Sequence, residues 1–239
     1  MTKYLLLTIL ILNSIISSAQ SNIKIPIEQF GLNEKTVVTD SSGIKYTYSE
    51  WKKLVGTGKY RLRPVHDDSD TTAFILAKRD KKIDDELAAN APEPDEAPFF
   101  KTGAPFNFFD MKDINGADIK SADLQGKIVV VNFWFIACPR CRYETPELNR
   151  LVKEYKDNKD IVFVAITFDR LPDVQKFLNI SPFEYRVVSD AWPQFKSYKI
   201  TECPVNLVVD KKGMIRFNSL GYDNGNVPYW INKTIRELK

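Results

Sequence analysis

At 239 residues with 44% hydrophobic content, the chain can fill a packed core and has room for one large domain or a domain with an appendage. Its 34 basic and 31 acidic residues are scattered and leave a net charge of +3. No basic stripe marks a nucleic-acid surface, so nucleic acid is not an expected partner. The first stretch, MTKYLLLTILILNSIISSAQS, sets Lys3 before an apolar run from Tyr4 to Ile16 and then Ser17, Ser18 and Ala19. That order predicts a cleavable signal peptide over residues 1–19. The run is shorter than the roughly 20 residues a spanning helix needs, and Asn13 and Ser14 interrupt its end. With no cysteine before Cys138, lipid attachment at an N-terminal cysteine is not expected. The mature protein is expected to be exported and periplasmic, not a lipoprotein, in a compartment that permits disulfides.

Residues 20–79 alternate short β-like runs with turn signals and predict a small α+β module. TVVTDSSGIKYTY reads as a hairpin around Ser42-Gly43, Ser49 as the cap of a short helix carrying Trp51, Leu54 and Val55, and YRLRPV and TAFILAK as strands. His66, in VHDDSD, reads as a surface histidine. From Asp80 to Pro98 the chain gains acids and prolines and loses aromatics, which predicts a linker over 80–98 with about one helical turn. Residues 99–239 then form the second domain. It begins with a strand, an Asn115-Gly116 turn and a short strand leading into SADL.

The run Ile128 to Phe135 suits a strand buried on both faces, and it stops at Cys138. Leu148, Leu151, Val152 and Tyr155 recur at helical spacing from Pro139 onward, and IVFVAITF is a second buried strand from Ile161. Pro172 opens a helix ending near Asn179, followed by the strand YRVV and the helix AWPQFKSY. VNLVVD, the DKKG turn and MIRFN make a hairpin before a last helix from about Pro228 to Leu238. Strands alternating with helices predict an α/β domain, a mixed central sheet flanked by helices on both faces.

Two of the three cysteines, Cys138 and Cys141, stand two residues apart where this strand turns into a helix. Backbone N–H groups and the positive end of the helix dipole converge there and favour a thiolate at Cys138. Pro139 suits a first helical position, and Arg140 and Arg142 add positive charge. Cys141, about one turn further in, is placed to resolve a mixed disulfide at Cys138. The alternatives are a structural zinc, a structural disulfide or two buried thiols. Zinc needs four ligands, and His66 is the one histidine of the chain. A bridge over two residues constrains the unfolded chain little.

The segment VVVNFWFIACPRCRYETPELNRL resembles the active-site region of the TlpA/ResA-like thiol–disulfide oxidoreductases, the exported branch of the thioredoxin superfamily. The likeness spans about Ala104 to Lys239. It implies a thioredoxin-like fold, with Cys138 as nucleophile, Cys141 as resolving cysteine and Pro204 as a cis-proline facing them. It also implies an enzyme that needs no cofactor or metal and acts on cysteine-containing protein substrates as a reductant, as in cytochrome c maturation. A membrane carrier of the DsbD/CcdA type would supply the electrons. Where cytoplasmic thioredoxins carry a buried acid this chain has Asn132, which cannot shuttle a proton. Glu144 is then the acid near the site, open between tuning the cysteines and serving as a first-turn helix acid. Trp134, Pro139, Arg140 and Cys203 are expected to face a docked partner, with Trp134 open between lining the site and packing. Cys203, directly before Pro204, departs from the family's usual Thr, Val or Ile. It is open between a small buried hydrophobe and a third thiol that tunes or bridges Cys138. Two other functions remain as alternatives. A thiol peroxidase wants Thr or Ser three residues before its cysteine, where Phe135 stands, and a Cu(I) binder would use all three cysteines.

Overall fold

The computed structural model describes residues 34–57, 59–65, 73–222 and 226–239. The expected signal peptide and His66 lie outside the described residues. In the N-terminal part, β1 (Val37–Thr39) and β2 (Lys45–Tyr46) pair antiparallel. Gly43 between them has φ +87°, a backbone that a side chain disfavours. Asp40 closes this turn by accepting the N–H groups of Ser42 at 2.9 Å and Ile44 at 3.0 Å. Helix α1 (Tyr48–Gly56) starts two residues earlier than a Ser49 cap would set it, because Thr47 and Glu50 form a capping box. Strands β3 (Tyr60–Pro64) and β4 (Ala73–Lys78) complete a sheet of order β2-β1-β4-β3 over Val38, Trp51 and Leu76.

The expected linker holds more structure than one turn. Helix α2 (Lys81–Asn90) is capped by Asp80, which accepts from the N–H groups of Lys82 and Ile83. The acidic composition that pointed to solvent is partly consumed by pairing, since Asp84 contacts Arg61 at 2.7 Å and Arg79 at 2.6 Å. Beyond α2 the chain is tied to the second sheet. The carbonyl of Asp95 accepts from Leu220 N–H at 3.0 Å, and Ala97 N–H donates to Asn218 Oδ1 at 2.8 Å.

The second region opens with the β5 (Met111–Lys112) and β6 (Asp118–Ile119) hairpin and α3 (Ser121–Leu124). It continues through β7 (Ile128–Trp134), α4 (Pro139–Glu154), β8 (Ile161–Thr167), α5 (Leu171–Leu178), β9 (Arg186–Val188) and α6 (Trp192–Tyr198). It ends with β10 (Val205–Val209), β11 (Ile215–Leu220) and α7 (Val227–Glu237). The sheet order is β11-β10-β7-β8-β9, with β7, β8 and β9 parallel and β10 antiparallel to both neighbours. Alternation along β7 sends Ile128, Val130 and Trp134 into one cluster, with Leu148 of α4 and Ile231 of α7. Val129, Val131 and Phe133 go into the other, with Leu124 of α3 and Phe195 of α6. Helices thus cover both faces of a mixed sheet, as the alternation of elements predicted.

Candidate active site

Strand β7 delivers the chain to the loop Phe135–Ala137, and two bonds shape that loop. Ile136 N–H donates to Asp169 Oδ2 at 2.7 Å, and Cys138 N–H donates to the Phe135 carbonyl at 3.0 Å. Cys138 is the N-cap of α4 and Pro139 stands in its first turn, where a missing N–H costs nothing. Cys141 N–H donates to Cys138 Sγ at 3.1 Å, the helix-start contact that stabilises negative charge on sulfur. The two cysteines form a disulfide with Cα atoms 5.3 Å apart. In this oxidised state both are buried, Cys138 at 3% exposure and Cys141 at 2%. Their difference lies in position on the helix.

The Cys203-Pro204 peptide is cis. Its Cys203 carbonyl stands 3.8 Å from Cys138 Sγ, so the loop before β10 faces the cysteine pair. Cys203 is a free, half-buried thiol whose pKa is pushed up to about 12 by burial, with the Asp169 charge adding to the effect. It is therefore held protonated near neutral pH. Arg140 is exposed, and its guanidinium lies 3.8 Å from where a Cβ on Gly221 would stand. Gly221, at φ +86°, leaves that approach open. Pro139 is half-buried beside it. Trp134 is only 1% exposed and packs against Phe177 and Phe183 at centroid distances of 5.8 and 5.7 Å. A ring so enclosed supports the cysteine loop from below and does not offer a face to a docked partner.

Glu144 lies one turn beyond Cys141 on the inner side of α4 and is fully buried. Burial raises its pKa to about 8, and the Asn206 hydrogen bond opposes the rise. Asn206 Nδ2 donates to Glu144 Oε1 at 2.8 Å, and Asn132 Nδ2 donates to Asn206 Oδ1 at 3.0 Å. The two asparagines face each other in register across β7 and β10. Sequence reasoning found Asn132 and Glu144 but missed Asn206, though its signal was the same: one polar residue inside the apolar run PVNLVV. Asp169 was also missed, because the bond that gives it a role spans 33 positions. Among the described residues, no three His, Cys, Asp or Glu side chains gather as a metal site.

The arrangement holds an oxidised dithiol at a helix start, a carbonyl beside the Cys138 sulfur and a buried protonatable acid on the same helix. That is the equipment for two-electron thiol–disulfide exchange. Comparison with known proteins agrees. The AhpC/TSA family matches residues 102–218. The thiol:disulfide interchange protein DsbE of Pseudomonas aeruginosa is 32% identical over 134 residues, 54% of this chain and 72% of that protein. The thiol-disulfide oxidoreductase ResA of Bacillus anthracis is 30% identical over 109 residues, 45% of this chain and 62% of ResA. The chain thus spans less than two thirds of ResA's length. The thioredoxin domain of a thiol-disulfide oxidoreductase from Bacteroides vulgatus superposes with a TM-score of 0.50 at 27% identity, covering 59% of this chain and 99% of that domain.

Proposed function

Because this chain belongs to the TlpA/ResA-like thiol–disulfide oxidoreductases of the thioredoxin superfamily, we propose that it reduces disulfides of exported proteins through Cys138 and Cys141. The observation that carries this reading is the disulfide itself, capping α4 with the Cys203 carbonyl 3.8 Å from Cys138 Sγ. In the working direction, the Cys138 thiolate attacks one sulfur of a partner disulfide. A mixed disulfide forms and the partner's other sulfur leaves as a thiolate. Cys141 then attacks Cys138 Sγ, closing the Cys138–Cys141 bond and releasing the partner's second thiol. Two electrons pass to the partner, and the oxidised state described here is the product. Glu144, buried and raised to about 8, exchanges the proton that Cys141 must lose before it attacks.

Return to the dithiol requires a reductant, and a membrane carrier of the DsbD/CcdA type fits an exported enzyme. The apocytochrome c maturation pathway fits as a target system, since its heme-binding cysteines must be kept reduced. Export rests on the signal-like order of residues 1–19 and the disulfide-permissive compartment it implies. Arg140 and Pro139 flank the sulfur at which a partner would arrive. The N-terminal module, without cysteines, acts on partner choice.

The test is the reduction potential of the Cys138–Cys141 pair together with its redox state trapped in cells. A potential near about −270 mV with the protein found reduced supports a reductase. One near about −120 mV with the protein found oxidised would make it an oxidase.

A further inference from the structure

The parallel strands β7, β8 and β9 bring three loops to one rim of the sheet, and β10, running the other way, brings the Cys203-Pro204 turn to the same rim. In strand order the rim carries Cys203 before β10, Phe135 and Cys138 after β7, Phe168 after β8 and Trp192 after β9. Such strand ends are where open α/β sheets receive their ligands. Hydrogen bonds lock the loops to one another. Ile136 N–H donates to Asp169 Oδ2 at 2.7 Å, Asp190 N–H to the Asp169 carbonyl at 2.8 Å and Ala191 N–H to the Thr167 carbonyl at 3.0 Å.

Three aromatic rings follow one another along this rim. Phe135 stacks on Phe168 with centroids 5.4 Å apart, and Phe168 makes a T-shaped contact with Trp192, also at 5.4 Å. Phe195, only 3% exposed, meets Phe168 at 5.1 Å and ties it to the core. Exposure grows away from the cysteines: Phe135 and Phe168 are half-buried, whereas Trp192 is 52% exposed. The other three tryptophans are buried or half-buried. An indole left in water forgoes the burial that makes aromatics stabilising, and aromatic rings are enriched where proteins meet.

A partner's sulfur must reach Cys138 Sγ for exchange to begin, so the chain carrying it lies over this rim. Neighbouring strands stand about 4.8 Å apart, which sets the far side of β9 roughly 10 Å from β7, and an extended chain advances about 3.3 Å per residue, so about three residues cross that span. We propose that Trp192 and Phe168 form a docking ledge for an apolar or aromatic side chain of the disulfide-bearing protein substrate, about three residues along its chain from the cysteine that Cys138 attacks. The ledge is continuous with the cysteine loop through Phe135, whose carbonyl accepts the Cys138 N–H at 3.0 Å. This inference rests on the exchange reading above and deepens it: Cys138 performs the attack and Trp192 sets which sequences are attacked well.

The test uses the full chain and disulfide-bonded peptides that carry Trp or Ala three residues before or after the cysteine. The unmodified protein should reduce one Trp peptide with a kcat/KM about ten-fold above its Ala counterpart, the difference lying in KM. In Trp192→Ala that ratio should fall to near one, and Trp192→Phe should recover most of it. Equal reduction of Trp and Ala peptides by the unmodified protein, or an equal loss on both in Trp192→Ala, would overturn the proposal. Calorimetry with the same peptides bearing Ser for Cys reads docking without exchange, with about ten-fold weaker binding of the preferred Trp peptide expected in Trp192→Ala and unchanged binding as the contrary result. If the unmodified protein reduced no peptide at all, the exchange reading would fail and the calorimetry would still decide on the ledge. Sedimentation as a dimer that Trp192→Ala dissolves would assign the ledge to a second copy of this chain and overturn the proposal.

Discussion

Val38, Trp51 and Leu76 are the buried cluster of the β2-β1-β4-β3 sheet, whereas the cysteine-bearing sheet separates two larger clusters, one around Trp134, Leu148 and Ile231, the other around Phe133, Phe195 and Leu207. Each such side chain contributes roughly 1.5–3 kcal/mol when fully buried, so the first region has little apolar burial of its own to offset chain entropy. It leans on the second through charge. Arg79, at the end of β4, pairs with Glu147 of the active-site helix, and Arg150 pairs with the same carboxylate. The contrast teaches that core size and chemistry sit together: the region with the deep core holds every cysteine, and the region with the shallow one docks against the helix that presents them.

The sharpest break of that contrast is Cys138→Ser. Disulfide reduction should fall by at least about a thousand-fold, with the circular dichroism of the whole chain unchanged. Turnover that persisted would move the chemistry elsewhere in the molecule.

Next in size is the pH dependence of stability in the oxidised protein. Glu144 has an ordinary value of 4.5 and a folded value near 8. Between those two pH values the folded state keeps a proton that the unfolded state has lost. Stability therefore falls as pH rises through the window, by up to about 1.4 kcal/mol per pH unit, and this contribution is flat on either side. Glu144→Gln should flatten the slope in urea titrations; an identical slope would mean that the buried acid carries no cost.

Arg79→Ala probes the docking itself. Among the described residues it leaves the nearly buried Glu147 paired with Arg150 and Asp84 paired with Arg61. A loss of about 1–2 kcal/mol is expected, discounted from the value for a fully buried pair because Arg150 is substantially exposed. Proteolysis should then begin in the N-terminal region before the cysteine-bearing one. Smallest of all is Cys203→Val. With its thiol held protonated up to about pH 12, Cys203 is expected to shift turnover less than about three-fold at pH 7. A larger change would give the third thiol a part in the cycle.

Much of this was legible in the sequence because it is local. The continuous apolar run IVVVNFW, the proline after Cys138 and the spacing of Leu148, Leu151 and Tyr155 encode strand, turn and helix within one window. The same windows located Cys138, Cys141 and Glu144, and the family resemblance pointed to Pro204. What was not legible depends on partners far along the chain. Helix α2 looked like a solvated linker because Arg61 and Arg79, which hold Asp84, come from the strands before it. Trp134 stayed open between lining the site and packing because nothing local shows that Phe177 and Phe183 enclose it. Asn206 acquires meaning only when β10 sets it against Asn132, 74 positions away.

The most direct measurement of the central claim is a trapping experiment in the full chain with Cys141→Ser. Without the resolving thiol, the mixed disulfide with a cysteine-containing peptide should accumulate, and mass spectrometry should map it to Cys138. Attachment at Cys203, or no adduct at all, would contradict the account.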